Sequence, residues 1–127
     1  MFKRVLIIDD DLGIRKITQI SLKAIAGWEV LVAASGQEGI AIAQTEAIDA
    51  ILLDVMMPGM DGITTLEYLQ TNPSTQIIPV ILLTAKAQVF EQQQLTELPV
   101  TGIITKPFKA PELVKQMCLL LKWNPSA

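Results

Sequence analysis

The sequence predicts an α/β fold: a five-stranded parallel sheet with helices on both faces. Short apolar segments alternate with helix-length stretches along the whole chain, which implies crossover connections and a parallel sheet. The apolar segments are bounded by polar or turn residues, as buried parallel strands read. The acidic, hydroxyl and basic residues that stand out all lie where strands end, so they fall on one rim.

The first strand is read over 5–8 and runs into Asp9-Asp10. A helix follows and ends at Gly27, which suits the left-handed position at a helix C-terminus. The second strand covers 28–32. Ser35, with Glu38 three residues on, fits a capping box opening the second helix. The third strand, 50–53, is closed by Asp54. Asp61-Gly62 opens the third helix, and Asp61 is read as its cap rather than as a ligand, because Asp is strongly preferred there. The fourth strand, 80–83, is closed by Thr84. A fourth helix over 87–98 contains Gln92-Gln93-Gln94 and few apolar residues, so its packing stripe is short, and marginal packing marks where a domain can move. The fifth strand covers 102–104, with Lys106-Pro107 just past it. The last helix carries Leu113, Val114, Met117, Leu120 and Leu121 at spacings of one, three and four, a continuous core stripe. Cys118 is read as buried on the same helix.

At 127 residues the chain reads as one domain, residues 1–127, with no linker, repeat or separate output module. Half of the residues are hydrophobic and the net charge is −3, which suits a globular protein and argues against direct electrostatic binding of nucleic acid. The longest apolar runs are strand-sized, so no membrane insertion is expected, and Met1-Phe2-Lys3-Arg4 running straight into a strand does not read as a cleaved signal. A single cysteine excludes an internal disulfide and fits a reducing, cytoplasmic setting. Histidine is absent, which leaves oxygen ligands and hard cations as the natural metal chemistry.

In the flavodoxin-like strand order 2-1-3-4-5, the order reverses between the first and third strands, and ligands collect at the carboxyl ends there. Asp9, Asp10 and Asp54 sit at those two ends. Two carboxylates about 4 Å apart repel by roughly 4 kcal/mol at an effective dielectric near 20, so three converging ones need a cation or must take up protons. Mg²⁺ suits such a site, because it prefers oxygen ligands and is held by one or two carboxylates together with phosphate oxygens. With Lys106 added, the resting pocket is formally neutral. Asp54 is the candidate nucleophile: a rigid buried strand leads into it, and a carboxylate can accept a phosphoryl group as an acyl phosphate. Phosphorylation raises the local negative charge, which draws in the Lys106 ammonium and a hydroxyl donor such as Thr84. A change of charge then becomes a movement of the loops after the fourth and fifth strands. Each piece has an ordinary reading as turn or cap chemistry, and the joint placement is what points to a site.

On these motifs the chain is similar to the receiver domain of two-component response regulators, of the stand-alone, chemotaxis-regulator-like kind. The match runs through Val5-Leu6-Ile7-Ile8-Asp9-Asp10, Leu53-Asp54-Val55-Met56-Met57-Pro58-Gly59-Met60-Asp61-Gly62, Leu83-Thr84-Ala85 and Lys106-Pro107-Phe108. The resemblance implies that Asp54 accepts a phosphoryl group from a partner histidine kinase or histidine phosphotransfer protein. It implies that Asp9, Asp10, Asp54 and the main-chain carbonyl of Met56 hold Mg²⁺, that Thr84 and Lys106 form a switch pair, and that the Lys106–Pro107 peptide is cis. A downstream effector protein is expected to dock on the fourth helix, fifth strand and last helix. The family commonly places an aromatic residue three positions before the lysine, where this chain has Ile103, so a signal there travels by backbone shift. Met56 and Lys86 occupy positions that in this family influence hydrolysis of the acyl phosphate. Methionine offers no strong hydrogen bond to orient an attacking water, which implies slow self-dephosphorylation.

Three other functions compete. A haloacid-dehalogenase-type phosphatase would use Asp9 of Asp9-Asp10-Asp11 as its nucleophile, but Gly13 stands where that family expects Thr or Val. A flavin-binding domain would need a Ser/Thr-rich phosphate loop after the first strand, where this chain is acidic. A receiver-like interaction module that is never phosphorylated would not need Asp54, Thr84 and Lys106 together.

Overall fold

A computed structural model describes residues 3–85 and 98–123. The expected helix over 87–98 and Lys86 lie outside the described residues, apart from Leu98. Five strands form one parallel sheet in the order β2-β1-β3-β4-β5: β1 (Arg4–Ile8), β2 (Glu29–Ala33), β3 (Ala50–Asp54), β4 (Val80–Ala85) and β5 (Gly102–Lys106). The described helices are α1 (Leu12–Ala26), α2 (Gly36–Thr45), α3 (Gly62–Thr71) and α4 (Ala110–Leu121). The predicted class and strand order therefore hold.

The sheet is buried on both faces because successive side chains of a strand point to opposite sides. Leu6, Ile8, Ile51, Leu53 and Leu82 pack on one face against Ala43 of α2 and Leu66 and Leu69 of α3. Val5, Ile7, Leu52, Ile81, Leu83 and Ile104 pack on the other against Leu22 of α1 and Leu113, Val114 and Met117 of α4. Cys118 is buried within this second cluster. Trp123, just past α4, meets Trp28 edge to face, with centroids 5.1 Å apart. None of the described helices is long and apolar enough to cross a membrane.

The helix boundaries follow local chemistry. Asp11 caps α1, its side chain accepting from the Ile14 N–H. Gly27 ends α1 at φ 72°, where its own N–H and that of Trp28 close onto the Lys23 and Leu22 carbonyls. That cap takes up Trp28, so β2 begins one residue later than expected, at Glu29. Ser35 caps α2 through the Glu38 N–H, while the Glu38 carboxylate reaches back to the Ala34 N–H rather than to that of Ser35. Asp61 caps α3, as read from the sequence, accepting from Thr64 at 2.8 Å.

Three strands extend further than their apolar cores. Asp54 is the last residue of β3, Thr84 lies within β4, and Lys106, expected just past β5, is its final residue. Parallel pairing continues past the apolar side chains, with Asp54 opposite Leu83, Thr84 opposite Thr105 and Ala85 opposite Lys106. Backbone pairing is indifferent to side-chain polarity, so the polar ends remain in the ladder.

Candidate functional site

β1 and β3 are neighbours in register, Ile8 opposite Leu53, so the residues that follow them arrive side by side. Asp9 is fully buried there and every polar atom it has is engaged. Its N–H donates to the Ala33 carbonyl at 3.1 Å, carrying the pairing with β2 one residue further. Its Oδ1 accepts from the Asp11 N–H at 2.9 Å, and its Oδ2 from the Lys106 ammonium at 2.8 Å. Its main-chain carbonyl accepts from Arg15 Nη1 at 2.7 Å. Asp54 is 6% exposed, and its Oδ1 lies 3.2 Å from the same Lys106 ammonium. Asp10 is exposed at the mouth. One carboxylate oxygen from each of Asp9, Asp10 and Asp54 falls within 4.8 Å of the others, a set of hard oxygen donors that could hold a divalent cation.

Three carboxylates face one ammonium, and the electrostatics show the imbalance. Burial pushes the Asp54 carboxyl up from 3.8 to about 6, and the charge of Asp9 adds to the rise, against the pull of Lys106 and the Met56 N–H. Burial alone would lower Lys106. The hydrogen bond from Asp9 and the charges of Asp54 and Asp9 outweigh it and raise the ammonium above 10.5. One cation is thus held by two anions, while the anions remain under-compensated.

The loop after β3 holds Asp54 from behind. The Val55 N–H donates to Leu83 at 3.1 Å and the Gly62 N–H to Val55 at 2.9 Å, folding the start of α3 onto the strand end. A Cβ at position 62 would collide with the Asp54 main-chain oxygen and come within 2.7 Å of the Val55 Cα, so only glycine allows this approach.

The structure brings Asp9, Asp10, Asp54 and Lys106 together, as the sequence predicted. Thr84 is fully buried at the same rim, one residue beyond the partner of Asp54. Met56 directs its N–H at the Asp54 carboxylate and leaves its side chain 62% exposed. The Lys106–Pro107 peptide is cis. Ile103 packs, partly buried, against the core cluster under α2 and α3. Asp11, the second acid of the phosphatase-like Asp-x-Asp, is spent on capping α1, and Asp9 is closed in by Lys106 and the Asp11 N–H. Sequence reasoning missed Arg15 and the close approach of Gly62. A side chain bonded to a main-chain carbonyl six residues away leaves no periodic signal, although an arginine one turn into a helix that starts at an acidic strand end could have drawn attention.

The model of the response regulator receiver domain family matches residues 5–117. Among curated proteins, a probable transcriptional regulator ycf27 of Cyanophora paradoxa is 37% identical over 120 residues, covering 94% of this chain and 48% of that protein. The phosphate regulon transcriptional regulatory protein PhoB of Pseudomonas aeruginosa is 38% identical over 120 residues, covering 94% of this chain and 52% of that protein. The chain thus spans about half the length of these curated relatives. Among solved structures, the Vibrio cholerae chemotaxis protein CheY4 superposes with a TM-score of 0.86 at 31% identity, covering 94% of this chain and 99% of that one. With the sheet order, the acidic rim and a family match over almost the whole sheet in agreement, the chain belongs to the response regulator receiver domains of two-component signalling.

Proposed function

We propose that Asp54 is the phosphoacceptor of this receiver, that Asp9, Asp10, Asp54 and the Met56 main-chain carbonyl hold Mg²⁺, and that Thr84 and Lys106 respond to the phosphoryl group. The observation that carries the reading is the Lys106 ammonium, bridging Asp9 at 2.8 Å and Asp54 at 3.2 Å beside an acidic cluster short of positive charge. A divalent cation would cancel the two negative charges that Lys106 leaves uncompensated, and it would neutralise charge on phosphoryl oxygens.

The chain's own residues account for the rest. Asp54 is held by β3, by the Met56 N–H and by Lys106, so a carboxylate oxygen is fixed for in-line attack. That oxygen forms a bond to phosphorus as the P–N bond to a partner's phosphohistidine breaks; the departing imidazole nitrogen takes a proton from solvent. A small acyl phosphate serves as donor in the same way, its bridging O–P bond breaking instead and its carboxylate leaving. The product carries more negative charge than the carboxylate it replaces. Lys106 is then drawn from sharing two carboxylates toward the phosphoryl oxygens, and the loops after β4 and β5 move with it. The exposed Met56 side chain gives no strong hydrogen bond to an attacking water, which supports a long-lived acyl phosphate. Output is a protein contact on the side of β5 and α4, in a cytoplasmic two-component pathway.

Incubation with Mg²⁺ and a small acyl phosphate, followed by intact-protein and peptide mass spectrometry, tests the proposal. One phosphoryl group on Asp54, lost in Asp54→Ala, is expected. Modification at Asp9 would support the phosphatase reading instead, and an unmodified protein that also fails to bind beryllofluoride would support the interaction module.

A further inference from the structure

Asp10 is the exposed member of the acidic cluster, and among the described residues no hydrogen bond or ion pair holds its carboxylate. Its placement comes through the main chain. The Asp9 carbonyl and the Asp10 N–H share one rigid peptide plane, so whatever grips that carbonyl fixes where Asp10 begins. Arg15 is that group, its Nη1 donating to the Asp9 oxygen at 2.7 Å from near the start of α1. The bond is short and charge-assisted. The other partners of Asp9, namely Ala33, the Asp11 N–H and Lys106, hold its N–H and its carboxylate. Among the described residues, Arg15 alone acts on the peptide that leads to Asp10. Among the described residues Arg15 pairs with no carboxylate, so its charge is not committed to a structural salt bridge.

The geometry points to Arg15 as a positioning residue of the cation site: by orienting the Asp9–Asp10 peptide it presents the Asp10 carboxylate to a metal shared with Asp54. This rests on the reading of the acidic cluster as a Mg²⁺ site beside a phosphoacceptor. A residue serving only to anchor α1 would change stability and leave metal affinity alone, so the two roles separate experimentally.

The test is calorimetric titration of the full chain with Mg²⁺ for wild type, Arg15→Met, Arg15→Lys, Asp10→Asn and the Arg15→Met/Asp10→Asn pair. The Asp10 amide resonance of the metal-free protein is followed alongside. Arg15→Met is expected to weaken Mg²⁺ binding about tenfold, the range seen when a group orienting a metal ligand is lost. It should move the Asp10 amide resonance, and phosphoryl uptake should recover at saturating Mg²⁺. Arg15→Lys, which keeps a charged donor, should stay within about threefold of wild type, and Arg15→Met should add nothing in the Asp10→Asn background. Unchanged Mg²⁺ affinity in Arg15→Met overturns the inference, as does an equal loss in the Asp10→Asn background, while wild-type phosphorylation of Asp54 leaves the underlying reading standing. Wild-type protein that neither binds Mg²⁺ nor accepts phosphoryl overturns both.

Discussion

Replacing Asp54 by asparagine should stabilise the metal-free protein, which is the reverse of the usual effect of removing an ion-paired aspartate. The folded carboxyl titrates at about 6, against 3.8 for an ordinary aspartate. A folded value above the unfolded one means that between these pH values the native state keeps a proton that the unfolded chain has released. Stability therefore falls as pH rises through that window, and the cost is complete above about pH 6. At about 1.4 kcal/mol per pKa unit, the gap of roughly two units amounts to about 3 kcal/mol. Part of this survives in the variant, because asparagine is still a buried polar group and Lys106 loses one partner. The net gain expected for Asp54→Asn at pH 7.5 in chelator is about 1–3 kcal/mol, shrinking as pH falls through the window between about 6 and 3.8 and gone only below it, where the carboxyl is protonated in both the folded and the unfolded chain. Urea unfolding from pH 4 to 8 reads this directly as a shift in midpoint at constant slope. Mg²⁺ should reverse the order, since a ligand at about a hundred times its Kd adds about 2.7 kcal/mol to wild type and little to a variant with a weakened site. A wild type as stable as Asp54→Asn at pH 7.5 without metal, or a difference that grows toward acid pH, would refute the argument that burial and Asp9 dominate over Lys106.

The other predictions concern the same rim. Lys106→Met leaves Asp9 and Asp54 without their shared cation and should cost about 2–4 kcal/mol at neutral pH in chelator, partly regained with Mg²⁺, by thermal or urea unfolding. Because the Lys106 ammonium titrates above 10.5 when folded, its contribution is full below that pH and lost above it; wild type should lose its advantage over Lys106→Met in strongly alkaline urea titrations. Mg²⁺ affinity should be flat above about pH 7 and fall about tenfold per unit below about 6, as Asp54 takes up the proton that competes with metal; a flat profile down to pH 5 would contradict it. Gly62→Ala pushes a methyl group against the Asp54 main chain and should cost about 1–3 kcal/mol while slowing acyl-phosphate formation, measured by unfolding and by mass spectrometry. Met56→Asn supplies a hydrogen-bonding side chain at the exposed mouth and should shorten the acyl-phosphate lifetime; an unchanged lifetime would dismiss the role given to Met56.

Much of the architecture was legible because buried parallel strands leave an unmistakable trace. Ile51, Leu52 and Leu53 are apolar without alternation, and in the structure Ile51 and Leu53 line one core cluster while Leu52 lines the other. Caps were legible for a related reason: Asp61 and Gly27 act on backbone groups within a few residues of themselves, so their signals are local. Strand ends were harder. The apolar run stops at Ile104, yet pairing continues to Lys106, because hydrogen bonding to β4 does not depend on what the side chains are.

The amino-acid sequence by itself determined the alternation of buried strands and crossover helices and the placing of Asp9, Asp10, Asp54 and Lys106 at strand ends, since burial periodicity is a local signal; the strand order that gathers them came from the resemblance to receiver domains and is the order the structure has. Only the tertiary structure decided how one ammonium is divided between Asp9 and Asp54, how far the Asp54 carboxyl rises, and that Arg15 and Gly62 hold the main chain beneath the site. Those properties depend on distances of a few ångströms and on the exclusion of water. Neither is encoded by residue type or spacing; both arise only when segments far apart in sequence are packed together.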